Sequence, residues 1–77
     1  MTQAADPLSE QVGGNHYKDL AIQPVEYCHA NKLLFLESTI IKRATRHDKE
    51  TGKGLEDIKK IIHEARLIAR LTYGVNL

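Results

Sequence analysis

The sequence predicts a small all-α domain, and three observations carry this prediction. Apolar residues recur at helical spacing through residues 55–73, Pro24 and Gly74 stand where helices commonly begin and end, and polar segments with glycine separate the apolar stretches. A chain of 77 residues has room for one domain, which buries only about 60% of its unfolded surface. We therefore expect a short helix, a basic middle helix and a long C-terminal helix forming a hairpin, stabilised further by oligomerisation.

The N-terminal part divides into a predicted tail and the start of the domain. Residues 1–14 are polar and end in two glycines, so we expect a flexible tail, with residues 15–77 forming the single helical domain. Pro24 suits the first position of a helix, where its missing N–H costs nothing. A short helix is predicted over residues 25–30. Its expected inner face consists of Val25, Cys28 and His29.

The middle helix is predicted over residues 36–47. Its core-facing positions by helical spacing are Leu36, Ile40, Ile41 and Ala44. The opposite face carries two pairs of side chains one turn apart, Lys42 with Arg46 and Arg43 with His47. Residues 48–54 follow as a loop with two glycines and no apolar residue.

The clearest helix is predicted over residues 55–73, and Gly74 is its natural stop. Lys60 has acidic residues four positions away on both sides, Glu56 and Glu64, so two stabilising pairs are expected. The apolar stripe is wider than one face requires. We expect it to pack against a second subunit, making the protein a homo-oligomer through this helix, although a single hairpin with a broad stripe is the simpler alternative.

Charge is concentrated in the middle of the chain. Residues 38–60 carry seven Lys and Arg against four Asp and Glu, whereas residues 1–37 carry two against five. A basic segment of this kind can hold an anionic ligand, and it can equally be a solvated surface. Nucleic acid is the weaker candidate, because the net charge is only +1 and no aromatic residue interrupts the basic cluster.

Several kinds of site are not indicated. Lys53 lies between two glycines without the spacing of a P-loop, and the four histidines are too scattered to indicate a metal site. Cys28 is best interpreted as a core residue. No cofactor is firmly implied. The sequence shows neither a signal peptide nor a membrane span, and the lone cysteine fits a reducing compartment.

The residues that can bind phosphate surround the 48–54 loop. Lys42, Arg46 and Lys60 supply cations, and the glycines supply backbone N–H groups. Asp57 can orient one of these cations or accept a proton from a sugar hydroxyl, and as an alternative it can simply complement the helix dipole. His16 and Tyr17 can stack on a base or ribose, or cap the core. No catalytic residue is identified.

These residues also carry a resemblance to a family. Asn15-His16-Tyr17, residues 24–28, residues 36–47 and residues 56–61 resemble, in order and spacing, the bacteriophage family called domain of unknown function 3310, or SaV-like. The resemblance covers roughly residues 11–73. It implies a phage protein acting in the cytoplasm of an infected bacterium, and a relationship to a phage nucleotide kinase that lacks a P-loop. The family's motif positions are occupied here by His16, Tyr17, Lys42, Arg46, Asp57 and Lys60.

The chain departs from the family pattern in its middle helix. Ser38-Thr39 stands where the family has Gly-Asn, and Arg43 stands where it has Tyr. We expect these departures to affect catalytic turnover more than anion binding. The first hypothesis is therefore a small nucleotide-binding protein, with kinase-like phosphoryl transfer if it is active. The alternative is a non-catalytic phage accessory or anti-defence protein that sequesters a nucleotide signal or inhibits a host protein.

Overall fold

The computed structural model describes residues 6–9 and 20–77. A short 3-10 helix is followed by three α-helices: η1 (Pro7–Ser9), α1 (Pro24–Ala30), α2 (Phe35–Arg46) and α3 (Leu55–Tyr73). These two ranges contain no β-strand. The predicted all-α class is confirmed, as is the order of a short, a basic and a long helix. Of the predicted tail only residues 6–9 are described, and there the carbonyl of Leu8 accepts a hydrogen bond from the Gln23 side chain.

Helix α1 packs on α2 through one narrow edge. Pro24 opens α1, and the backbone N–H of Gln23, just before it, donates to the Glu26 carboxylate at 3.1 Å. Pro24 and Cys28 are the buried residues of this helix, and they lie one turn apart on the same face. The predicted inner positions of Val25 and His29 are wrong, because α1 contacts α2 alone and both side chains point to solvent.

Helix α3 ends at Gly74, as predicted. Gly74 has a φ of 69°, a left-handed conformation that glycine adopts without a steric penalty. Its N–H donates to the Arg70 carbonyl and the next N–H, of Val75, donates to the Ala69 carbonyl, both at 3.1 Å. The bond from Gly74 to Arg70 is that of an αL cap, and the two bonds satisfy carbonyls in the last turns of the helix.

Helices α2 and α3 form the predicted hairpin, but the most deeply buried residues of this pair are acidic. The two buried residues of α3 are Asp57 and Glu64, and α2 contributes no fully buried residue. Arg43 and Arg46, predicted on the solvent side of α2, turn instead toward α3 and are about four-fifths buried. The reason is electrostatic: the two carboxylates lie seven residues apart on one face of α3 and can be buried only if cations meet them.

A second face of α3 is apolar and open. We call Leu55, Ile58, Ile62, Ala65 and Ala69 the outer stripe. Leu55 is 66% exposed and Ile62 is 56% exposed. The spacing alternates between three and four residues, which is the heptad pattern of helices that pair with another helix. Within the described residues, no helix is both long enough and apolar enough to cross a membrane.

Candidate anion-binding site

The structure places a cationic cavity between α2, the 47–54 loop and α3. It has a volume of about 270 Å³. We call it the basic pocket, and its lining residues are Thr39, Lys42, Arg43, Arg46, Lys53 and Lys60. Two helices and a loop therefore bring five cationic side chains to one concave surface.

Three of the six residues predicted to contact a ligand meet in this pocket: Lys42, Arg46 and Lys60. His16 and Tyr17 lie outside the described residues, so their predicted role stays a prediction. Lys59, the neighbour of Lys60, is exposed and does not line the pocket, because successive residues of a helix point about 100° apart.

Arg46 is held at the base of the pocket by Asp57. The Nε atom of Arg46 donates to both carboxylate oxygens at 3.1 Å, and Nη2 donates to Oδ1 at 2.8 Å. The backbone N–H of Lys53 donates to Oδ2 at 3.1 Å. The hydrogen bond from Arg46 is the main reason that the pKa of Asp57 falls from 3.8 to about 2, even though burial opposes the shift. Asp57 is therefore a carboxylate throughout the physiological range.

This geometry assigns Asp57 the first of its two proposed roles, that of orienting a cation. Its side chain is 0% exposed, so it presents no surface from which to contact a ligand or accept a proton from one. In the structure Asp57 holds Arg46, and its predicted contact with a ligand stays a prediction that this burial does not favour. Its location in the first turn of α3 also suits the helix dipole.

A second ion pair lies one turn away along α2 and two turns away along α3. Arg43 Nε donates to Glu64 Oε1 at 2.5 Å, and the Thr39 hydroxyl donates to the other oxygen of the same carboxylate. Arg43 Nη1 also lies 3.6 Å from Asp57 Oδ1. The predicted pairing of Lys60 with Glu64 is therefore replaced, and Lys60 forms no ion pair with any described residue.

Thr39 and Arg43 were not among the predicted site residues. Both stand at positions where the sequence departs from the pattern that it otherwise resembles, and that departure is the signal that could have identified them. In the structure these two positions share one partner, Glu64. The departures are therefore a connected set, with a hydroxyl and a guanidinium meeting one buried carboxylate.

The loop does not offer the backbone donors that its glycines suggest. The N–H of Gly52 donates to the Lys49 carbonyl at 3.0 Å, and the N–H of Gly54 donates to the His47 carbonyl at 3.1 Å. The N–H of Lys53, between them, is held by Asp57. The expectation that this loop binds phosphate through its N–H groups is wrong, because the turn itself uses them.

The fold and site define a class: a small helical hairpin protein with a preorganised cationic pocket. Comparison with known proteins gives no match, whether to a protein family, a curated protein or a solved structure. The resemblance to the phage family therefore stays a prediction. In the described part of the chain, no three His, Cys, Asp or Glu side chains lie close enough together to hold a metal ion.

Proposed function

We propose that this chain is a small nucleotide-binding protein that holds its ligand by the phosphate groups in the basic pocket. The observation that carries the proposal is the convergence of Lys42, Lys53 and Lys60 with two oriented arginines. Charge-assisted hydrogen bonds from lysine and arginine to phosphate oxygens are short and about twice as strong as neutral ones. The resemblance to the phage family supports the same ligand and supports a location in the cytoplasm of an infected bacterium.

Binding without turnover is the form of this function that the pocket favours. General-base catalysis needs a group within hydrogen-bond reach of the proton it removes. The two carboxylates beside the pocket, Asp57 and Glu64, are buried and engaged by arginines. We therefore propose that the protein sequesters a nucleotide, which is the alternative hypothesis from the sequence, in preference to kinase-like phosphoryl transfer.

Calorimetry with matched lysine variants tests the binding proposal. Lys60→Gln and Lys53→Gln remove cations from the pocket, whereas Lys59→Gln and Lys49→Gln remove neighbouring exposed lysines that do not line it. We expect the first two to weaken binding of a deoxynucleotide about tenfold each, and the second two to change it less than about twofold. An equal loss of affinity in all four variants would indicate nonspecific charge attraction and would overturn the proposal.

A single assay separates binding from turnover. The protein is incubated with a nucleoside triphosphate, magnesium and each deoxynucleoside monophosphate, and the products are resolved by chromatography. We expect no deoxynucleoside diphosphate to form. If the diphosphate forms, and if Arg46→Lys lowers its rate of formation, the kinase hypothesis is restored. The variant is informative because lysine cannot reproduce the paired guanidinium contact with Asp57. Failure to bind any nucleotide would favour a host protein as the target.

We further propose that the protein self-associates through the outer stripe of α3. The buried residues of this helix are Asp57 and Glu64, and Leu55 and Ile62 of the heptad-spaced apolar face remain largely exposed. A second copy supplies a helix with the same spacing. Ile62 points about 160° away from Lys60 around the helix, so this association leaves the basic pocket open.

The oligomeric state tests this assignment, and the chain offers a matched control. Ile62 and Ile22 are both isoleucines, 56% and 64% exposed, but only Ile62 lies on the outer stripe. We expect Ile62→Ser to shift the protein to a monomer in sedimentation experiments, and Ile22→Ser to leave its mass unchanged. A monomeric parent protein at high concentration would refute self-association.

A further inference from the structure

The side chains of the basic pocket point to a more specific ligand than a phosphate group in general. We infer that the pocket selects ligands that carry a diphosphate, with little regard for the base attached to it. This inference rests on the proposed function and names its substrate class. Three features of the described residues carry it: the charge that remains uncompensated, the predominance of donors in the lining, and the contrast between fixed and adaptable cations.

The first feature is the charge of the pocket. Two of its five cations are already compensated, because Arg46 is paired with Asp57 and Arg43 with Glu64. The remaining three are lysines, and each comes from a different segment: Lys42 from α2, Lys53 from the loop and Lys60 from α3. None of these lysines forms an ion pair with a described residue. The pocket therefore presents a surplus of three positive charges.

That surplus matches a diphosphate better than a single phosphate. A phosphate monoester carries a charge of about −1.5 to −2 at neutral pH, and a second phosphate group adds about one more. A monophosphate therefore leaves about one lysine unmatched in the pocket. A diphosphate, with a charge of about −3, engages all three. The three lysines come from three different segments, and a ligand with two phosphate groups offers more oxygens to meet them together.

The second feature is that the lining is made almost wholly of donors. Lysine and arginine side chains have no acceptor atoms, and Thr39, whose hydroxyl bonds to Glu64, is the one lining side chain with an acceptor oxygen. The neighbouring loop N–H groups are bonded within the turn. A nucleobase presents donors as well as acceptors, and its flat face usually stacks on an aromatic ring. The described lining contains no aromatic side chain, so it suits phosphate oxygens and not a base.

The third feature is the division between fixed and adaptable cations. The arginines are held in place by buried carboxylates. Arg43 still has Nη atoms that donate no hydrogen bond to a described residue and can meet one phosphate. Lysines are compact charges on flexible stems, so they adapt to a second phosphate in more than one position. This arrangement fixes one phosphate group and accepts the second in several positions. A site that binds diphosphates without selecting the base requires both properties.

The test compares ligands that differ only in phosphate number or only in base. Binding of inorganic phosphate, inorganic pyrophosphate, and the mono- and diphosphates of deoxyguanosine and deoxythymidine is measured by calorimetry on the full chain. We expect pyrophosphate and both diphosphates to bind at least about tenfold more tightly than their monophosphate counterparts. We expect the affinities for the deoxyguanosine and deoxythymidine ligands to differ by less than about threefold. Lys42→Gln should reduce the advantage of the diphosphates, and Lys59→Gln should preserve it.

The outcomes separate this inference from the proposed function. Equal affinity for mono- and diphosphates, or a strong preference for one base, overturns the diphosphate inference. If that binding still depends on Lys42 and Lys60, nucleotide binding by the pocket stands. Absence of binding by every phosphate compound overturns both. Circular dichroism of each variant confirms that the lysines were replaced without unfolding the chain.

Discussion

Arg46 and Asp57 join the end of one helix to the start of the next through a paired ionic contact. The guanidinium Nε lies 3.1 Å from both oxygens of the carboxylate, and Nη2 lies 2.8 Å from one of them. The same carboxylate accepts the N–H of Lys53, which precedes α3. One buried acid therefore fixes the hairpin angle, anchors the loop and orients a cation of the basic pocket. Structure and proposed binding depend on the same contact.

Replacing Asp57 with asparagine tests its structural contribution. Asp57→Asn keeps the size of the side chain and removes the carboxylate that pairs with Arg46, whereas Arg43 keeps its pair with Glu64. We expect a loss of about 3 kcal/mol in the free energy of unfolding, measured by urea denaturation. Asp48→Asn is the control, because Asp48 is exposed in the loop and forms no ion pair with a described residue. A loss below about 0.5 kcal/mol in Asp57→Asn would contradict the assigned role.

Acid should destabilise the protein through the same residue. The pKa of Asp57 is lowered from 3.8 to about 2 on folding, so the folded state favours the charged form. The resulting stabilisation, about 2 kcal/mol, is fully present above pH 4 and is lost as the pH falls from about 4 to about 2. Unfolding free energies at a series of pH values should show this decline in the parent protein. The decline should be smaller in Asp57→Asn, and equal declines in both proteins would exclude Asp57 as the cause.

The helices could be predicted from the sequence because helical spacing and end signals are local. Pro24 and Gly74 mark ends of helices in the structure, and α3 matches its predicted bounds, residues 55–73. The faces of α2 could not be predicted in the same way. Arg43 and Arg46 appear on a polar face, and polar faces usually meet solvent. Their burial depends on Asp57 and Glu64, which lie more than ten residues away in the chain.

The candidate site was predictable only in part for the same reason. Lys42, Arg46 and Lys60 could be grouped because helical spacing and a short loop bring them together. The paired state of Asp57 depends on its burial, and sequence spacing does not report burial. The loop glycines indicated free N–H groups, but the turn closes on itself through Gly52 and Gly54. Hydrogen bonds within a turn can be counted only once its path is known.

Gly52 should not tolerate a side chain. The reason is a lack of space at this position and not an unusual backbone conformation. A Cβ atom at this position would lie 1.8 Å from the carbonyl oxygen of Arg46 and 2.8 Å from its carbonyl carbon. The loop must therefore move away from the end of α2. We expect Gly52→Ala to cost about 2 to 3 kcal/mol of stability and to weaken pyrophosphate binding, since Lys53 moves with the loop. Glu50→Ala, an exposed change in the same loop, should alter both quantities little.

The contact between Arg43 and Glu64 should behave as a coupled unit with Thr39. Arg43 reaches Glu64 at 2.5 Å, and Thr39 donates to the same carboxylate, so removing Arg43 leaves a buried charge with one weaker partner. We expect Arg43→Met to destabilise the protein by about 2 to 3 kcal/mol, and Arg43→Met with Glu64→Gln to be less destabilising than the sum of the single changes. A double-mutant cycle measured by chemical denaturation should give a coupling of about 1 to 3 kcal/mol.

The comparison pair is Arg66→Met and Glu64→Gln, because Arg66 bonds to the Leu77 carbonyl and forms no ion pair with a described residue. That pair should be additive, and equal coupling in the two cycles would show that Glu64 responds to general positive charge and not to Arg43.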